Sequence, residues 1–94
     1  MYRGYMTGPW GGEPIGLVFE EVGISLLLSV VLCPEYSQAW IDVCDVVIRR
    51  PGVDVRADAE CEYASSKGIL VLSVGDRSME MMAKIAKAKL EERA

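Results

Sequence analysis

The run ISLLLSVVLC, Ile24 to Cys33, carries only two polar residues in ten, both serines. A strand with one wet face alternates between apolar and polar positions, whereas a near-continuous apolar run needs cover on both faces. In a chain this small the second cover has to come from the aromatic N-terminal segment or from another subunit. The run follows Glu20 and Glu21 instead of a basic segment, and bulky Leu32 precedes Cys33, so it does not read as a signal peptide. It is also too short to cross a bilayer, which takes about 20 apolar residues.

Ninety-four residues make one domain with one small core, burying somewhat more than about 60% of the surface that the unfolded chain exposes. At 51% hydrophobic and 26% charged residues, the chain is too apolar for a disordered tail. It is apolar enough for part of its surface to be expected against a second chain. The net charge of -4 argues against nucleic-acid binding by the chain alone, since phosphate affinity comes from clustered Lys and Arg. Cys33, Cys44 and Cys61 form no CxxC pair, and there is no His. Zinc and Cys-His chemistry therefore lack a ligand or base, and reduced thiols in a cytoplasmic protein, with no metal and no cofactor, are expected.

Residues 1–14, MYRGYMTGPWGGEP, are dense in Gly, Pro and aromatics, which predicts an irregular arm, or at most a short edge strand at Tyr2 to Met6. Residues 15–94 are expected to form the domain. Ile15 to Val22 and Ile24 to Cys33 read as two strands joined at Gly23. Pro34 opens a helix, expected over Pro34 to Arg50 or ending early at the strand-like Val46, Val47 and Ile48, before Pro51 and Gly52. VDVRADAECEY, Val53 to Tyr63, alternates without error and reads as a long strand, paired by a hairpin at Ala64 to Gly68 with Ile69 to Val74. MEMMAKIAKAKLEER closes the chain as an amphipathic helix. The order β-β-α-β-β-α predicts an α+β two-layer sandwich, a four-stranded, mainly antiparallel sheet with two helices on one face.

On that strand Asp54, Arg56, Asp58, Glu60 and Glu62 share a face. Alternate residues stand about 7 Å apart, so at most two neighbouring carboxylates could share an ion, and a solvated face, or a partner surface in an oligomer, is the expectation. Gly75, Asp76, Arg77 and Ser78 put backbone N–H groups and a cation at a helix start, a candidate anion site that also reads as a plain cap. Met79, Met81 and Met82 cannot all point inward. With Trp40 and Ile85 they are the candidate interface. No serine has a recognisable base and the carboxylates are scattered, so no catalytic residue is assigned and no enzyme is expected.

GILVLSVGDRSMEMMAKIAKAKL, Gly68 to Leu90, resembles the small dimerisation subunit of the KEOPS tRNA-modification complex, in an order of elements that spans residues 24–94. In that family a glycine turn, an apolar strand and an acidic residue, Asp76 here, lead into an apolar C-terminal helix. The resemblance implies a non-enzymatic subunit that dimerises and docks a catalytic partner through helices at Pro34 to Arg50 and Met79 to Arg93. The expected function is association, as a homodimer or as an accessory subunit of a larger protein. The alternative is a small-molecule sensor with a pocket between the sheet and the arm, around Tyr5 and Trp10.

Overall fold

The computed structural model describes residues 1–9, 15–29, 34–75 and 77–93. The chain runs through β1 (Tyr2–Thr7), α1 (Ile15–Glu20), β2 (Ile24–Leu28) and a 3-10 turn (Pro34–Tyr36) that leads into α2 (Ser37–Ile41). It continues with β3 (Val46–Arg49), α3 (Val55–Ser66), β4 (Leu70–Ser73) and α4 (Met79–Arg93). The strands form one sheet in the order β2-β1-β3-β4, and every neighbouring pair is parallel. The expected antiparallel α+β sandwich is thereby corrected to an α/β fold. Parallel neighbours cannot be joined by a hairpin and need a crossover, here helical.

Three local readings account for the error. VDVRADAECEY is mostly helix, and its alternation is incidental. Ala57, Glu60 and Ala64 are the buried residues of α3, at steps of three and four, and the Asp54 carboxylate caps the helix by accepting from the Ala57 N–H at 3.0 Å. Ile15 to Glu20 is helical as well. Gly23, which reads as a hairpin turn or a bulge, and Gly68, which reads as the end of a hairpin turn, instead stop helices at positive φ, +85° and +76°. At Gly68 the pair of bonds Gly68 N–H to Ser65 O and Ile69 N–H to Ala64 O completes a helix-ending motif that leads directly into β4. The helix expected from Pro34 is short, and Val46–Arg49 is a strand.

Residues Tyr2–Thr7, expected in the arm or at an edge, form an inner strand paired with β2 on one side and β3 on the other. Successive side chains along it enter opposite cores. Met6 joins Ile24, Val46 and Ile48 beneath Phe19 of α1 and Met82, Ala83, Ala86 and Leu90 of α4. Tyr5 joins Val47 beneath Ile41 of α2 and Ala64 of α3, with Cys44 closing the cluster. Both faces of the sheet are thus covered by the chain's own helices. No helix among the described residues is long and apolar enough to cross a membrane.

If α3 begins where Asp54 caps it, Asp54→Ala lowers the unfolding free energy by about 1 kcal/mol, while Asp54→Asn stays within a few tenths of the parent. Urea denaturation read by circular dichroism checks this. Equal stability of the Ala variant and the parent would contradict the cap.

Candidate functional site

The strand order reverses between β1 and β3: from β1 the chain goes to β2 on one side and then crosses to β3 on the other. In open parallel sheets such a reversal leaves a crevice outside the carboxyl ends of the strands, where ligands bind. Thr7 and Arg49 are register partners at those ends. The loops that follow are held together. Arg50 donates from its backbone N–H to Thr7 O and from Nε to Pro9 O. Arg49 donates to Arg50 O, to Gly52 O at 2.9 Å and to the Asp58 carboxylate at 2.9 Å. Gly8 lies at φ +114°, and a Cβ there would stand 2.8 Å from Arg50 O, so only glycine fits.

Beside this crevice lies Glu60, only 4% exposed. Its two oxygens accept from groups on two elements. The Tyr5 hydroxyl donates to Oε2 at 2.7 Å and the Thr7 hydroxyl to Oε1 at 2.5 Å. Arg56, one turn earlier on α3, donates from Nε to Oε2 at 3.2 Å, and its Nη2 lies 3.4 Å from the Tyr5 hydroxyl. Burying a carboxylate costs several kcal/mol unless it is hydrogen-bonded, and here the donors are supplied. The Tyr5 phenol is pushed well above its ordinary range, first by burial and then by its hydrogen bond to the Glu60 carboxylate and by that group's charge, with Arg56 opposing.

Glu60 opens into a cleft of about 380 Å³, walled on one side by Glu35, Ser37 and Gln38 and on the other by Arg56, Ala59, Glu60 and Tyr63. That volume is in the range of small-molecule sites, about 300–1,000 Å³. The walls are latched by Tyr63, whose hydroxyl donates to Asp42 Oδ1 at 2.5 Å. This bond is the leading cause of the raised Tyr63 pKa.

The structure distributes the residues marked from sequence differently. Trp40 packs on the α2/α3 side of the sheet, and its buried Nε1 has no hydrogen-bond partner among the described residues. Met79 and Met82 pack on the α1/α4 side, where Met82 is 1% exposed. Met81 is 51% exposed and Ile85 half-buried. Trp40 and the α4 residues therefore lie on opposite sides of the sheet and form no common patch. At the candidate anion site, Gly75 has φ +60°, Arg77 is exposed and the Ser78 hydroxyl caps α4 by accepting from the Met81 N–H at 3.2 Å. Asp76, Trp10 and Cys33 lie outside the described residues. The row of charges from Asp54 is split: Asp58 faces Arg49 while Glu60 turns inward. Glu60 was legible as a charge on the inward stripe of a helix, had the stretch been read at the helical period. Among the described residues no group of three or more His, Cys, Asp or Glu could hold a metal ion.

No family model, curated protein or solved structure matches the chain.

Two buried acids make the fold sensitive to alkali. Burial, helped by Asp45, pushes the Cys44 thiol up to about 12, and Tyr5 is raised as described. Because both hold their protons longer in the folded state, the unfolded chain binds fewer protons as pH rises from about 9, and stability falls across that range. The urea midpoint should drop steadily between pH 8 and 11, and Tyr5→Phe should flatten the upper part of the decline. A midpoint that does not change over this range would contradict the assignment.

Proposed function

We propose that the protein binds a small hydroxyl- or amine-bearing molecule in the cleft between α2 and α3, with Glu60 as the buried acceptor that orients it. The supporting observation is the carboxylate itself, almost entirely enclosed, with donors on both oxygens, at the strand-order reversal of a parallel sheet. Three donors leave one of the roughly four acceptor positions of a carboxylate for a ligand. Gln38 and Glu35 on the facing wall add a donor and further acceptors. This is a reading of recognition and not of turnover, since the groups around Glu60 are already engaged in holding it.

Association is a second reading, favoured by Val53 and Val55, which are 98% and 82% exposed where α3 begins. Two bare valines beside the crevice suit a contact with a second protein. Over Ile24–Leu28 the chain's own helices, α1 with α4 and α2 with α3, lie on the two faces of the sheet, so this stretch is not what supports the second reading.

A thermal-shift screen of sugars, polyols, nucleosides and amino compounds tests the first reading, followed by titration calorimetry of whatever raises Tm. Gln38→Trp, on an exposed helix position, should fill the cleft and weaken binding by more than about tenfold while leaving the unliganded Tm within a degree or two. Tyr63→Phe should bind more weakly because the latch is lost. A ligand bound as tightly by Gln38→Trp as by the parent sits elsewhere, and the proposal fails.

A further inference from the structure

Among the described residues the charges that line the cleft do not balance: they are Glu35, Arg56 and Glu60. Arg56 is paired with Glu60 at 3.2 Å, so those two cancel. Glu35, exposed and lining the cleft, has no ion pair or hydrogen bond among the described residues. The whole chain, at -4, reinforces the sign.

We infer that the ligand of this cleft is an organic cation, an amine whose ammonium group meets Glu35 while its far end donates to Glu60. The inference rests on the cleft reading above and adds the charge class of the ligand. A metal ion is the poorer occupant. Hard cations gather six or more oxygens from several carboxylates, and no group of three or more candidate metal ligands exists among the described residues. An ammonium needs only one carboxylate and a few acceptors, and the Gln38 side-chain carbonyl is a second acceptor on the same wall. An anionic ligand would meet Glu35 and Glu60 with only Arg56, already engaged, to receive it.

Three probes of equal length separate charge from shape: butane-1,4-diamine, butane-1,4-diol and succinate, titrated into the full chain by calorimetry. The diamine should bind about fivefold tighter than the diol, the advantage of one exposed ion pair, and succinate should give no binding heat. Glu35→Gln, at an exposed position, should reduce the diamine to the level of the diol, and salt near 1 M should do the same to the parent. Equal affinity for diol and diamine, an advantage that survives Glu35→Gln, or no binding by any probe at millimolar concentration overturns the inference. Gln38→Trp keeps the two claims apart. If it abolishes diol and diamine binding alike while the parent binds them equally, the cleft stands and the charge inference falls.

Discussion

A parallel sheet has no wet face, and every part of this molecule follows from having to cover both. Tyr5 and Met6 are neighbours in sequence yet enter different cores, as do Val47 and Ile48. An apolar side chain left bare on either face would forgo about 1.5–3 kcal/mol of burial. The helices therefore divide, α1 and α4 on one side and α2 and α3 on the other, each pair packed on its own face of the sheet.

The same geometry places a carboxylate where an apolar residue would be expected. Tyr5 and Thr7 project from β1 toward α3, and α3 returns Ala57, Glu60 and Ala64 to that side. The two alanines let the helix approach closely, and that closeness brings Glu60 within reach of two hydroxyls on the strand. A hydrogen-bonded carboxylate is tolerated there, whereas removal of its donors would leave a buried acceptor unmet, at about 1–3 kcal/mol for each. Arg50 ties the loops after β1 and β3 together and Arg49 ties the second loop to α3, so charge and the crevice coincide at the carboxyl edge of the sheet.

Much of this was written in the residues and assigned to the wrong partner. The apolar run from Ile24 reads as a central strand covered on both faces, but its described part, Ile24–Leu28, is an edge strand, and its cover comes from the chain's own helices. Gly23 and Gly68 carry the signal of a left-handed backbone, which serves a hairpin turn and a helix stop equally, and only the period of the preceding residues separates the two. Val53 to Tyr63 satisfies period two perfectly, yet its Ala, Arg and Glu content favours a helix and Asp54 stands at the capping position. With that segment misread, the acidic residues fell on one wet face, and Glu60 could not be told from Asp58. The last helix was legible because its apolar stripe fits no other period. At Tyr2–Thr7 the Gly and Pro residues allow at most a short edge strand, and its inner place is hidden because both of its neighbours are distant in sequence.

The five-residue α2 is far too short to be stable alone, since isolated helices below about 12–15 residues are marginal. It is held by Ile41 and Trp40 packing into the second core and by the bond between Tyr63 and Asp42. Its position is therefore a tertiary property, and segments of this kind open locally at less cost than long packed helices. The wall that carries Gln38 is thus the less stable side of the cleft, while the wall that carries Glu60 is fixed by a capped twelve-residue helix. A molecule spanning the two would gain affinity from Glu60 in a preset position and would, by linkage, stabilise α2 against opening. The rigid acceptor and the adaptable wall are complementary consequences of one sheet whose two faces had to be closed by helices of very unequal length.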